Sequence, residues 1–159
     1  MGYMDVAAKG TPNGRSVVLM HGKSFCGATW EGSIKALSDA GYRVVVPDQI
    51  GFCTSSKPQS YQYSFQQLAN NTQPVYYEFK NLQVPTLLFI GTADTVALNS
   101  DLASPEVKAQ IGNYNVLGKQ VAKLIPRATL VEFEGLGHSP QIEEPERFHS
   151  ALLRGLKAL

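Results

Sequence analysis

Three short apolar runs, each closed by a glycine-bearing turn, limit what this chain can fold into. Val17–Met20 runs straight into His21-Gly22, Thr86–Ile90 into Gly91-Thr92-Ala93-Asp94, and Thr129–Phe133, after one acidic residue, into Gly135-Leu136-Gly137-His138. Continuous apolar runs of this kind suit strands covered on both faces. Segments of helical period lie between them. Trp30, Ile34 and Leu37 fall four and three apart, with Gly41 placed for a left-handed cap. Val116, Leu117, Gln120, Val121, Leu124 and Ile125 mark a helix face that Pro126 stops. A weaker helical signal covers 62–71, and a last helix, starting near Pro145, carries Phe148, Leu152, Leu153 and Leu156 inward. Tyr3–Val6 and Arg43–Val46 add two further strands. Strands alternating with helices predict the α/β class: a reduced doubly wound, mostly parallel sheet of about five strands, helices on both faces, joined by right-handed crossovers.

The chain has 159 residues, enough for one domain with its own core, and no repeat or low-complexity tract divides it. Fourteen basic against thirteen acidic residues give no electrostatic reason to expect nucleic acid or an anionic membrane as partner. No apolar run approaches the ~20 residues of a membrane span. Met1–Asp5 lacks the basic-then-apolar pattern of a signal peptide, and the sequence assigns no compartment. Cys26 and Cys53 are too few for a disulfide scaffold and read as two free thiols near strand ends. No Cys/His cluster has the spacing of a zinc site, so no metal and no other cofactor is expected.

Ligands of a doubly wound sheet bind beyond the carboxyl ends of its strands. The loops at His21, Asp94 and His138 are therefore expected along one sheet edge, with Asp94 and His138 able to pair. A carboxylate beside an imidazole orients the ring and stabilises the imidazolium that forms when the ring takes a proton.

The motifs together resemble the α/β-hydrolase family. His21-Gly22, Trp30, Gly41-Tyr42-Arg43-Val44, Pro47-Asp48-Gln49-Ile50-Gly51-Phe52, Ser55 and Pro58 are similar to its N-terminal part. Val84–Asp94 is similar to the strand and turn that deliver the triad acid; Gly135-Leu136-Gly137-His138, Pro140, Glu144-Pro145 and Phe148 are similar to the triad histidine and closing helix. The resemblance covers nearly every residue. It implies Asp94 as acid, His138 as base and the Lys23 amide as an oxyanion donor, in a loop whose His21, Gly22, Lys23, Phe25 and Cys26 line the oxyanion and substrate side.

One departure is large. The family places a strand, a G-x-S-x-G elbow, a helix, another strand and a cap before the acid, and the elbow exposes the nucleophilic serine. None of this is present; the excision falls between about Asn71 and Glu78, which leaves residues 1–159 as a single truncated domain without a cap. A smaller departure is Cys53, where the loop's Gly-x-Gly pattern would put a second glycine.

Gly22-Lys23-Ser24-Phe25-Cys26-Gly27 reads G-x-S-x-x-G, one residue longer than an elbow, after a strand and before a helix. Pairing of the strand ending at Met20 with the strand ending at Ile90 would carry Ser24 toward Asp94 and His138. Ser24 then serves as nucleophile, or Ser24 and Cys26 simply line the oxyanion loop; Cys26 is the weaker nucleophile. A phosphate-binding loop is disfavoured, because Val17 stands where its first glycine belongs. Tyr61, Tyr63, Phe65, Tyr76, Tyr77 and Phe79 form either a substrate wall or a cover over the core. The expected function is a small cap-less carboxylic ester hydrolase for a small-molecule ester. The alternatives are a non-catalytic binding protein of the same fold and a strand-swapped homodimer.

Overall fold

The computed structural model describes residues 1–22, 25–59, 76–96, 103–108 and 111–159. They belong to two compact units, Met1–Gln73 and Pro74–Leu159, each with its own sheet. The helix expected over 62–71, the residues Lys23 and Ser24, and Tyr61, Tyr63 and Phe65 lie outside the described residues.

In the first unit, β1 (Tyr3–Val6), β2 (Ser16–Val18) and β3 (Arg43–Pro47) form a sheet of order β1-β3-β2. A 3-10 turn, Gly27–Trp30, leads into α1 (Glu31–Asp39), which crosses from β2 to a parallel β3 in the register Ser16↔Arg43, Val18↔Val45. β1 pairs with the other side of β3 in the antiparallel sense. The core is α1 laid on β3: Leu37, Tyr42, Val44 and Val46 are buried. Gly41, at φ +89°, ends the helix where a Cβ would sit 2.2 Å from the Thr11 carbonyl oxygen, so no other residue fits that turn. The apolar run Val17–Met20 is not covered on both faces as its composition suggested. β2 is a strand of three residues that, among the described residues, is bonded on one side only, and Val18 is 60% exposed.

In the second unit a 3-10 segment, Tyr76–Asn81, precedes β4 (Thr86–Gly91); α2 (Pro105–Lys108) and α3 (Tyr114–Leu124) connect it to β5 (Ala128–Phe133). β4 and β5 are parallel over six residues, Thr86↔Ala128 through Gly91↔Phe133. The Asn113 side chain accepts the Val116 amide and caps α3. α4 (Pro140–Glu143) and α5 (Pro145–Ala158) close the unit. Phe89, Phe133 and Phe148 meet at centroid distances of 5.3–5.9 Å. On α5, Phe148 and Ala151 are buried, whereas Leu152, Leu153 and Leu156 are half-buried. The expected face of α3 is corrected as well. Val116, Leu117 and Leu124 are exposed, and the buried line runs through Gly118 and Ile125. The cause is the bare backbone at Gly118, where a Cβ would stand 2.8 Å from Ile90 Cγ1; the helix turns its smallest residue to the sheet.

The α/β class and mostly parallel pairing hold; among the described residues five strands form two ladders. Among the described residues, no helix is long and apolar enough to cross a membrane, and no group of three His, Cys, Asp or Glu side chains could hold a metal ion.

Candidate active site

The second unit brings Asp94 and His138 together. Parallel pairing in register ends β4 and β5 side by side at Gly91 and Phe133, so both following turns leave the same edge. The turns interlock through their main chains. The Thr92 amide donates to the Phe133 carbonyl at 3.0 Å and the Ala93 amide to the Leu136 carbonyl at 2.9 Å. The Gly135 amide donates to Thr92 Oγ1 at 2.9 Å. Gly91 makes this approach feasible: a Cβ there would lie 2.0 Å from the Gly137 oxygen and 2.4 Å from that of Leu136.

Each Asp94 oxygen is used. Oδ1 accepts the Val96 amide at 2.9 Å, and Oδ2 lies 2.9 Å from His138 Nδ1. The Asp94 side chain is buried, while that of His138 is 48% exposed. An imidazole that donates Nδ1–H to a carboxylate keeps Nε2 as the nitrogen that takes a proton. Glu143 fixes the main chain on both sides of the ring, accepting the Gly137 amide at 2.8 Å and the Ser139 amide at 3.0 Å. The Tyr114 ring flanks the imidazole at 6.2 Å between centroids. Sequence reasoning named Asp94 and His138 but neither Glu143 nor Tyr114.

In the first unit His21 is 3% exposed. Its Nε2 accepts the Gln49 amide and its Nδ1 lies 2.9 Å from the Gly22 carbonyl oxygen, so the proton sits on Nδ1. The Gln49 side-chain amide donates back to the His21 carbonyl at 2.6 Å. The ring is thus a brace between two loops, with both nitrogens engaged within the fold. Phe25 turns back on Gly22, its amide donating to the Gly22 carbonyl at 3.1 Å. Cys26 is not a free thiol: it is bonded to Cys53, with the two Cα atoms 5.9 Å apart. This corrects the reading of two separate thiols and removes Cys26 as a nucleophile in this state. The cause is Asp48, whose carboxylate draws the two cysteine-bearing segments together. Its Oδ1 accepts the Gly27 amide at 2.8 Å, and its Oδ2 accepts the Thr54 amide at 3.0 Å and the Thr54 hydroxyl at 2.7 Å.

The Thr54 hydroxyl, with the Gly27 and Thr54 amides, holds the buried Asp48 carboxyl below the usual carboxylate range. A carboxylate whose pKa is lowered by folding stabilises the fold above its unfolded pKa. That contribution is lost as pH falls through the lowered folded value. Melting temperature should therefore decline below roughly pH 4. Asp48→Asn should be less stable at neutral pH and show a flatter acid limb when both proteins are melted across a pH series.

Residues 15–71 match a family model described as alpha/beta hydrolase fold. A probable hydrolytic enzyme from Pseudomonas aeruginosa PAO1 is 35% identical and superposes with a TM-score of 0.89; the match covers 97% of this chain and 88% of that one. The AB hydrolase superfamily protein YfhM from Bacillus subtilis (strain 168) is 46% identical over 56 residues, 35% of this chain and 20% of that protein. Protein ABHD14A from Mus musculus is 25% identical over 191 residues, 90% of this chain and 70% of that protein. That last alignment is longer than the 159 residues here, so the relative carries residues without counterparts in this chain. The chain spans less than half the length of the first curated relatives it matches.

Proposed function

Because the chain belongs to the α/β-hydrolase family, we propose that it hydrolyses small carboxylic esters, with His138 as general base and Asp94 as its orienting acid. The observation that carries this reading is the 2.9 Å contact between His138 Nδ1 and Asp94, made by an imidazole that remains half-exposed. A base so held can take a proton from a hydroxyl and return it to a leaving alcohol. Ser24, in the G-x-S-x-x-G stretch, is the nucleophile this reading assigns. Its Oγ attacks the ester carbonyl as His138 takes the hydroxyl proton; the alcohol leaves with that proton; water, deprotonated by His138, then releases the acid. The Lys23 amide serves as oxyanion donor. No cap is assigned, so substrate preference should be broad.

Labelling with a fluorophosphonate tests the nucleophile. The folded parent should be modified at Ser24, and Ser24→Ala should lose both the label and turnover of a short-chain nitrophenyl ester. Turnover that survives Ser24→Ala while the parent resists labelling would instead support direct activation of water by His138. That second reading is favoured by the disulfide, which removes the neighbouring thiol as a substitute nucleophile. If the parent has no ester turnover above buffer, the reading as a hydrolase fails and a binding role takes its place. A strand-swapped homodimer draws on β2, which among the described residues has a ladder partner on one side only. Elution as a monomer from a sizing column would remove it.

A further inference from the structure

Cys53 occupies the left-handed region at φ +43°, the only residue other than glycine among those described to do so. A side chain there crowds the neighbouring main chain, and glycine is the usual occupant. Gly51, two positions earlier, is also left-handed, at φ +94°. The loop therefore turns as a Gly-x-Gly loop would, with cysteine in the second glycine's place. What accompanies that exchange is the bond to Cys26.

The same two segments are joined a second time without covalent bonds. Asp48 accepts the amide that follows each cysteine, Gly27 after Cys26 and Thr54 after Cys53. The carboxylate can keep these two amides in place whether or not the sulfurs are bonded. The two residues also differ in exposure: Cys53 is exposed and Cys26 half-buried.

We propose that Cys26–Cys53 is a reversible thiol–disulfide exchange site whose substrate is a dithiol. In the exchange, one thiolate of the dithiol attacks the sulfur of Cys53, the more exposed residue, and the Cys26–Cys53 bond breaks. Cys26 leaves as a thiolate that takes a proton from water. The second thiol of the reagent, as its thiolate, then attacks the reagent sulfur of the mixed disulfide. Cys53 is released and protonated, and the dithiol departs as a cyclic disulfide. Two electrons and two protons pass to the protein. Reduction leaves Cys53 in a backbone conformation that nothing covalent maintains, so Phe25 and Cys53 loosen. Gly27 and Thr54 stay on Asp48. The site thus opens locally and does not unfold the unit. Any effect on turnover rests on the hydrolase reading, because Phe25 and Cys26 belong to the loop assigned there to the oxyanion; the exchange itself does not.

The test uses the full chain, oxidised with glutathione disulfide and then reduced with dithiothreitol. Intact mass should rise by two hydrogens on reduction. Amide hydrogen exchange at Phe25 and Cys53 should become at least ~10-fold faster, while Gly27 and Thr54 change by less than about 2-fold. Reoxidation should restore both. In Cys53→Gly, which accepts the left-handed turn without a bridge, Phe25 should exchange at the fast rate with or without dithiol. The proposal is overturned if oxidation removes no hydrogens, if Phe25 exchange ignores the redox state, or if Gly27 and Thr54 open together with Phe25. That last outcome would make the bond a staple of the whole unit. Ester turnover measured on the same samples separates the two readings: its absence in both redox states strikes the hydrolase assignment and leaves the exchange result standing.

Discussion

His138→Ala should lower ester hydrolysis by roughly 10²–10⁴-fold, the usual contribution of a positioned general base. The side chain is half-exposed, so its removal should leave the fold intact and cost about 1 kcal/mol through the lost bond to Asp94. Asp94→Asn tests the same pair from the other side. An asparagine keeps the shape and can still accept the Val96 amide, but its NH₂ group can turn toward Nδ1 and favour the tautomer with the proton on Nε2. The ring would then present a donor where an acceptor is required, and turnover should fall by a comparable factor. Added imidazole should restore part of the activity of His138→Ala and none of that of Asp94→Asn. Initial rates on a short-chain nitrophenyl ester, with circular dichroism as a control for folding, decide the matter. A His138→Ala protein as active as the parent would show that the pair takes no part in the reaction.

Phe133→Ala should destabilise the second unit by about 3–5 kcal/mol, the cost of deleting a large side chain from a packed core. Phe133 is 1% exposed and touches Phe89 and Phe148, so truncation leaves a cavity with two aromatic walls. Aromatic contacts of this kind add ~0.5–1.5 kcal/mol beyond the area they bury. The guanidinium of Arg147 stands over the same ring at 5.6 Å and loses its platform. The Phe133 carbonyl accepts from both turns of the candidate site, the Thr92 amide at 3.0 Å and the Leu136 amide at 3.2 Å. Collapse around the missing ring would therefore also shift the acid and the base. Urea unfolding followed by tryptophan-independent far-ultraviolet signal should show an earlier midpoint for Phe133→Ala. Phe133→Leu should recover most of the loss. A midpoint unchanged by the alanine would mean that this cluster is not the unit's core.

Asp94 and His138 were legible in the sequence because each follows an apolar run and a glycine turn, and parallel pairing then places both turns on one edge. The β4–β5 register needs nothing beyond those two runs. The disulfide was not legible. Twenty-seven positions separate Cys26 from Cys53, and what joins them is a third residue, Asp48, whose hydrogen bonds follow from the folded loop rather than from spacing. The one local hint was Cys53 itself, standing where a turn pattern calls for glycine. On α3 the period was read correctly and the face was not. Large apolar residues mark a buried face only when nothing smaller allows a closer approach, and Gly118 allows it. The three-residue β2 fell short of its apolar run for a different reason: strand length depends on partners, and among the described residues β2 has one.

Among the described residues, the contacts that hold His138 to Asp94 come from Gly91, Thr92, Ala93, Val96, Phe133, Gly135, Leu136 and Glu143, all downstream of residue 90. Among the described residues, the acid and the base are aligned by one continuous stretch of sequence, Gly91 to Glu143. Selection that keeps the pair can therefore be read from substitutions in that one stretch.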